Sequence, residues 1–333
     1  FLMEKRAEAR ISKADNTSDV TILREASVNK QTDPQPLRNY GIALVIGFGL
    51  PLAFIFVKEL MNNKIHTVED IAKFTALPLL GLVGHNKKED NLLANISPKS
   101  ALAEAFRTVR SNLRYMTSVG EAKEGSKIIV ITSSISGEGK TFSAKNLAYI
   151  ISISGERTLL INADMRKPNN NTDLGVTGNI GLSNHLAGHA SLDEVIYTSL
   201  QENLHVLPSG DIPPNPSELL LSNRMSALVA ELKQRYDYII MDTPPVGILS
   251  DGLELMQIAD ANIFMVRQDY TIKDFLKNVQ LQYESGKIKN TAILFNDVDY
   301  KKLNYGYGYG YGYGYGYYAE DNETKSWWKR IRG

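Results

Sequence analysis

The 333-residue sequence contains no cysteine. That single absence excludes disulfides, thiolate metal sites and cysteine nucleophiles together. Its five histidines are scattered, without the spacing of a metal-ligand set. There is no excess of either charge: Lys+Arg and Asp+Glu both number 37, for a formal net charge of +0. This balance argues for no nucleic-acid partner. The chain opens at Phe1 without an initiator methionine or a signal-peptide pattern, so it is expected to be a fragment of something longer. Its length allows one large domain or two ordinary ones.

One stretch lacks charge altogether. Residues 39–57 run Asn-Tyr-Gly-Ile-Ala-Leu-Val-Ile-Gly-Phe-Gly-Leu-Pro-Leu-Ala-Phe-Ile-Phe-Val. As a helix at 1.5 Å per residue they would span about 28 Å, roughly the thickness of a bilayer core. Glycine and Pro51 are tolerated in such helices. Tyr40 sits at one interface and Lys58 just past the other. Residues 1–16 read as the end of a charged helix. Residues 17–38, with Pro34 and Pro36, read as an extended linker. Lys/Arg counts do not orient the span: Arg24, Lys30 and Arg38 precede it, and Lys58, Lys64 and Lys73 follow.

Chemistry is concentrated at residues 130–141, Val-Ile-Thr-Ser-Ser-Ile-Ser-Gly-Glu-Gly-Lys-Thr. An apolar run from Ile128 leads into a small-residue loop, and an apolar periodic stretch, Phe142 to Ile153, follows. Strand, loop and helix in this order form a P-loop. Backbone N–H groups of Ser136, Gly137, Glu138, Gly139, Lys140, Thr141 and Phe142 would then face ATP phosphates at a helix N-terminus. Lys140 would reach the β/γ-phosphates and the Thr141 hydroxyl would ligate Mg²⁺. Ser134 stands where the motif's first glycine usually lies. A loop that uses ATP places residues 58–333 in the cytoplasm and residues 1–38 outside.

Two further strands end in carboxylates. Thr158 to Ile161 precede Asn162-Ala163-Asp164, and Tyr238-Ile-Ile-Met precede Asp242-Thr-Pro-Pro245. The C-terminal ends of strands are where open α/β sheets hold ligands. Asp164 and Asp242 are thus expected to join Thr141 around Mg²⁺, with Lys140, Asp164 and Asp242 as catalytic residues. Elsewhere Thr67 to Asp70 open a short helix before a strand at 77–83, and 85–98 read as loose. Residues 99–116 form an amphipathic helix with a stripe of Leu102, Phe106, Val109, Leu113 and Met116. Glu104, Arg107, Arg110 and Arg114 lie off that stripe, as a solvated face or a subunit contact. Residues 169–190 read as loop, 191–200 as a short helix and 204–207 as a strand. Ser217 caps one helix over 218–235, and 252–260, 261–266, 271–286 and 291–295 alternate helix and strand. Such alternation implies a doubly wound parallel sheet of the α/β class.

Residues 305–318 alternate tyrosine and glycine, and hold eight of the chain's seventeen tyrosines: Tyr305, Tyr307, Tyr309, Tyr311, Tyr313, Tyr315, Tyr317 and Tyr318. Glycine at every second position makes an ordered strand costly, so mobility is expected. The chain ends on Trp327-Trp328-Lys329-Arg330-Ile331-Arg332, an unstructured terminus or a contact for lipid headgroups.

This combination resembles the bacterial tyrosine autokinases fused to a membrane polysaccharide co-polymerase, which control chain length or export of capsule and exopolysaccharide. The resemblance covers residues 30 to 318. It rests on the proline-preceded apolar helix, Glu104-x-x-Arg107-x-x-Arg110, the loop at 134–141, the strand at 158–168, Pro213-Pro-Asn-Pro-Ser-Glu-Leu-Leu220, Asp242-Thr-Pro-Pro245 and the tyrosine cluster. The related ParA/MinD-type ATPases carry a lysine where Ile135 stands, which argues against them. The resemblance implies a P-loop NTPase-like domain at 59–300 in the cytoplasm, behind one transmembrane helix at 39–58 in the bacterial inner membrane. It implies a periplasmic part at 1–38 and a flexible tail at 301–333. It also implies an octameric ring contacted through Glu104, Arg107 and Arg110, with one subunit's tail tyrosines entering the next subunit's ATP site. Polysaccharide polymerisation and export machinery and a resetting tyrosine phosphatase would be partners. Each phosphate adds about −1.5 to −2 charges, so a fully modified tail would carry roughly −12 to −16 and crowded tails would repel.

One residue departs from the family pattern. The second motif usually reads Asp-x-Asp, and here it is Asn162-Ala163-Asp164. The resemblance credits the first aspartate with aiding deprotonation of the tyrosine, and asparagine does not accept a proton at neutral pH. Two other functions therefore stay open: a chain-length scaffold whose nucleotide site turns over poorly, and a membrane-tethered P-loop ATPase with an inert tail.

Overall fold

The computed structural model describes residues 1–15, 35–60, 62–86, 92–95, 98–118, 125–167, 171–246 and 251–300. The chain divides into two units, at residues 1–62 and 63–333. In the first, α1 (Leu2–Asp15) has no buried residue, and α2 (Pro36–Leu60) carries the uncharged stretch. α2 starts earlier than the sequence reading had it. Pro36 is its first residue, where a missing N–H costs nothing and φ is already helical. Residues 36–59 are long and apolar enough to cross a membrane, with Phe48, Phe54, Ile55 and Phe56 exposed.

In the second unit, uninterrupted apolar runs build the sheet. β1 (Leu79–Gly84), β2 (Lys127–Ser133), β3 (Thr158–Asn162), β4 (Tyr197–Thr198), β5 (Leu204–Leu207), β6 (Tyr238–Asp242), β7 (Ala261–Arg267) and β8 (Thr291–Val298) pair in the order β1-β8-β7-β2-β6-β3-β5-β4. Every pairing is parallel except β4 with β5. Strands buried on both faces need no polar alternation, which is why β2, β6 and β7 read as continuous Val/Ile/Met/Phe. The chain order reverses at β2, with β6 on one side and β7 on the other. That reversal opens a crevice at the strands' C-terminal ends.

Helices cover both faces. On one lie α3 (Val68–Phe74), α6 (Leu182–Ala187), α7 (Leu192–Val195), α8 (Pro216–Leu220), α9 (Asn223–Arg235), α10 (Asp251–Ile258) and α11 (Lys273–Glu284). On the other lie α4 (Ala101–Ser118) and α5 (Lys140–Ser152), where Phe106, Val109 and Leu113 meet Leu147 and Ile151. α3 begins at a full capping box, with Asp70 N–H donating to Thr67 Oγ1 and the Asp70 carboxylate accepting from Thr67 N–H.

Four stretches differ from the sequence expectation. Residues 191–200, expected as one short helix, hold α7 over only Leu192–Val195 and then turn into β4 at Tyr197–Thr198, which pairs with β5. The supposedly loose 85–98 contains buried Leu92 and Leu93, and Leu93 N–H donates to Asn146 Oδ1 at 2.7 Å. The polar residues around them masked a two-residue apolar plug. Residues 169–190 include α6, a helix too short for periodicity to register. The single helix expected over 218–235 is two, because Ser222 caps α9 by accepting from Met225 N–H, and α8 starts at Pro216 rather than after a Ser217 cap.

Candidate active site

Glycine shapes the loop between β2 and α5. Gly137 and Gly139 have φ of 89° and 96°, the left-handed region that a side chain would strain. Gly139 caps α5, so the helix's N-terminal turn, Lys140 to Phe142, begins directly at the loop. The Phe142 ring itself turns away, packing edge-on against Phe106 with centroids 5.9 Å apart. The Glu138 side chain also turns inward. It is fully buried, and its carboxylate accepts from Ile135 N–H at 3.0 Å and from the Thr271 hydroxyl. Burial pushes its pKa up, against these hydrogen bonds.

Lys140 is 8 % exposed and donates from Nζ to Ser133 Oγ at 3.0 Å. Burial lowers its pKa, while Asp242, Asp164 and Glu138 pull the other way. Sheet register then delivers the carboxylates. Asp242 lies at the end of β6, opposite Ile131 of β2 and Asn162 of β3. Its Oδ2 accepts from Thr141 Oγ1 at 2.6 Å. Asp242 is 1 % exposed, and burial raises its pKa to about 6, with the Thr141 hydrogen bond and Lys140 opposing and Asp164 adding to the rise. The segment after it is laced to β2: Thr243 N–H donates to Ile131 O at 3.1 Å and Val246 N–H to Ser133 O at 2.8 Å. Asp164, half-buried, folds its own turn by accepting from Arg166 N–H and Lys167 N–H, both at 3.2 Å. Arg166 reaches on to Ser217 Oγ at 2.7 Å, tying this turn to the Pro213–Leu220 segment.

Lys140, Thr141, Asp164 and Asp242 therefore converge, with the loop backbone of 136–139 beside them. Asn162 joins them: it is 1 % exposed, donates from Nδ2 to Asn171 Oδ1 at 3.2 Å, and its Oδ1 is buried without a hydrogen-bond partner among the described residues. A buried carboxylate near a hydroxyl, a second carboxylate and an orphaned amide oxygen is a set of hard oxygen donors. These residues fit a divalent cation held beside a nucleotide's phosphates. Ser134, in place of the first glycine, is buried, and its Oγ has no hydrogen-bond partner among the described residues. Glu104, Arg107 and Arg110 lie elsewhere, on α4. Arg107 pairs with Glu104, while Arg110 donates to Ile150 O at 2.9 Å and so braces α4 on α5. The tyrosines at 305–318 and the aromatic-basic end at 327–332 lie outside the described residues.

Sequence reasoning did not single out Ser133, Thr271 or Thr243, whose partners are 7, 133 and 112 residues away. Nor did it find Lys145, which donates to both Asp173 oxygens at 2.7 and 2.9 Å and holds the turn after Asp164 against α5. Hydroxyls and ion pairs at such separations leave no local pattern. Asn296, whose Nδ2 donates to Glu138 O at 3.0 Å, was also missed, although its place near the C-terminal end of β8 was an available signal.

Residues 126–290 match the AAA domain family. The chain is 34% identical over 219 residues to tyrosine-protein kinase YwqD of Bacillus subtilis (strain 168), covering 66% of this chain and 90% of that protein. It belongs to the bacterial tyrosine-protein kinases. A second relative, tyrosine-protein kinase wzc of Salmonella typhimurium (strain LT2), is 26% identical over 322 residues, spanning 91% of this chain but 44% of that longer protein. Among solved structures, the kinase domain of the Escherichia coli tyrosine kinase ETK superposes with a TM-score of 0.61 at 27% identity, over 71% of this chain and 95% of that one. A tyrosine kinase of this family transfers a phosphoryl group from a nucleotide, which is the chemistry the crevice is built to hold.

Proposed function

We propose that this kinase transfers the γ-phosphoryl group of ATP to tyrosines 305–318 of a neighbouring subunit, with Mg²⁺ at Thr141, Asp164 and Asp242. The observation that carries the reading is Thr141 Oγ1 on Asp242 Oδ2 at 2.6 Å, directly beside Lys140. Thr141 and the two carboxylates are oxygen ligands for Mg²⁺, which supplies charge neutralisation at the transferring phosphoryl group. Lys140 adds a fixed positive charge, and the N–H groups of residues 136–142 orient and hold the phosphates. The apolar shell around β2 and β6 keeps water from the buried side of Asp242. With Asn162 unable to take a proton, Asp164 and Asp242 are the crevice carboxylates that would accept the proton of the acceptor hydroxyl.

α2 anchors the chain in the bacterial inner membrane with the sheet unit in the cytoplasm, where ATP is. Glu104, Arg107 and Arg110 contribute to contacts in a homo-oligomeric ring, an octamer in the family pattern. Charge accumulating on the tails loosens that ring and so regulates polysaccharide polymerisation and export, and a phosphatase resets the cycle. The test is anti-phosphotyrosine blotting of the purified wild type beside Lys140→Met. Signal in the wild type alone supports autophosphorylation, and equal signal in both means another kinase modifies the chain. Asn162 favours a second reading, a chain-length scaffold with a slow nucleotide site. Nucleotide binding without phosphotyrosine in the wild type would select it.

A further inference from the structure

The peptide unit is planar, so a carbonyl held on one side fixes the next residue's N–H on the other. Four consecutive carbonyls of the phosphate loop are held in this way, each by a different side chain. Ser133 Oγ donates to Ile135 O at 2.7 Å, and Tyr270 OH to Ser136 O at 2.9 Å. Arg267 Nη1 donates to Gly137 O at 2.9 Å, and Asn296 Nδ2 to Glu138 O at 3.0 Å. The N–H groups of Ser136, Gly137, Glu138 and Gly139 are thereby turned to the opposite face of the loop. Three of the four donors come from β7, β8 and the turn before α11, not from the loop's own neighbourhood.

These donors are themselves held. Arg267 Nε and Nη2 pair with Asp297 Oδ2 at 2.9 and 2.8 Å, and its guanidinium lies 5.1 Å from the centre of the Tyr270 ring. Asp297 in turn meets His85 Nδ1 at 2.5 Å. The fit against the loop is close: a Cβ on Gly137 would lie 2.9 Å from Tyr270 OH, and one on Gly139 would lie 2.0 Å from Asn296 Nδ2. Both glycines thus serve the packing of this clamp as well as the turn.

We propose that Tyr270, Arg267 and Asn296 are positioning residues: they clamp the outer face of the phosphate loop and set its amides toward an anionic polyphosphate before it arrives. The inference rests on the nucleotide reading of the site. A loop pre-shaped in this way binds phosphate without first ordering its peptides, so the clamp acts on affinity more than on fold. Tyr270 is the cleanest probe, because it is partly exposed and Tyr270→Phe removes one hydroxyl and nothing else.

The experiment is calorimetric binding of Mg·ADP to the full chain, beside the thermal midpoint of the nucleotide-free protein. Tyr270→Phe is expected to weaken Mg·ADP by about 3- to 10-fold, the worth of one hydrogen bond, while the nucleotide-free midpoint stays at the wild-type value. Arg267→Lys keeps a charge but loses the fork, and is expected to weaken binding at least as much. Turnover should show a raised KM for ATP with kcat changed less. Wild-type affinity in both variants, or a loss of affinity only in step with a lowered midpoint, overturns the clamp. A wild-type chain that binds no Mg·ADP overturns the nucleotide reading beneath it.

Discussion

Thr141 and Asp242 are 101 residues apart in the chain, yet Thr141 Oγ1 donates to Asp242 Oδ2 at 2.6 Å. The contact is made by sheet order, because β6 is the immediate neighbour of the strand that leads into the loop. A carboxylate placed there is fully desolvated, and the Thr141 hydroxyl, Lys140 and Lys145 offset that cost only in part, so its pKa stays raised to about 6. The site is thus strained toward a cation, and several measurable consequences follow from particular residues.

Asp242→Asn should stabilise the nucleotide-free protein at pH 8 while abolishing phosphoryl transfer. The folded pKa of about 6 lies above the ordinary 3.8, so between these values the folded state binds the proton and the unfolded state does not. This group's stabilisation is complete below pH 3.8 and is lost as pH rises through 6. At pH 8 the ionised buried carboxylate costs the fold up to about 3 kcal/mol, at 1.36 kcal/mol per pKa unit. Denaturant midpoints of wild type and variant should therefore separate at pH 8 and converge near pH 4. A variant less stable than wild type at pH 8 would count against a desolvated Asp242.

Asn162→Asp should raise autophosphorylation and lower nucleotide-free stability. Asn162 faces Asp242 across the β3–β6 pairing, so a second carboxylate would sit beside the first with no added positive charge. Two such groups do not both ionise cheaply, and one pKa must climb. Bound Mg²⁺ removes the conflict, so the variant should gain more thermal stability from Mg·ADP than the wild type does. An unchanged rate with radiolabelled ATP would remove Asn162 from the argument.

The central strands and the phosphate loop were legible because each is local in sequence. Continuous apolar runs ending at Ser133, Asn162 and Asp242 mark buried parallel strands, and Gly-Lys-Thr at 139–141 marks a helix opening on phosphates. Family likeness carried the identification as a tyrosine kinase further than periodicity could. What stayed hidden was set by distant partners. Glu138 looks like a solvent-facing loop residue until Thr271 and Ile135 are seen to bury it. Leu92-Leu93 looks like part of a polar loop until Asn146 receives its backbone. Ser222 splits a helix because its hydroxyl caps Met225, a local signal outweighed by the helix-favouring residues around it.

The three α4 residues should separate into two classes. Among the described residues Arg107 pairs along its own helix, with Glu104, and a half-exposed pair of that kind contributes little to the fold, about 0.3–0.5 kcal/mol. Arg110 holds Ile150 O and joins two helices. Arg107→Glu is therefore expected to leave the thermal midpoint of the sheet unit almost unchanged, while reducing assembly measured by light scattering. Arg110→Ala should lower the midpoint as well, through a stability loss of about 1–3 kcal/mol for a charged donor lost from a partly buried carbonyl. Equal losses of midpoint for both would remove Arg107 as a specific reporter of subunit contact.

Removing residues 301–333 separates catalysis from acceptor. The crevice residues Lys140, Thr141, Asp164 and Asp242 all precede the cut, so Mg·ADP affinity should be retained within about 2-fold, less than the roughly 0.5–1.5 kcal/mol worth of a hydrogen bond. Phosphotyrosine on the truncated chain should vanish. Mixed with a Lys140→Met chain that keeps its tail, however, the truncated kinase should label that chain, because one subunit supplies the site and the other the tyrosines. Since each phosphate adds about −1.5 to −2 charges, labelled material should also dissociate at lower salt-screening, with assemblies larger in 0.5 M than in 0.05 M NaCl. Labelling confined to a chain's own tail, with none on the added Lys140→Met partner, would replace transfer between subunits by transfer within one.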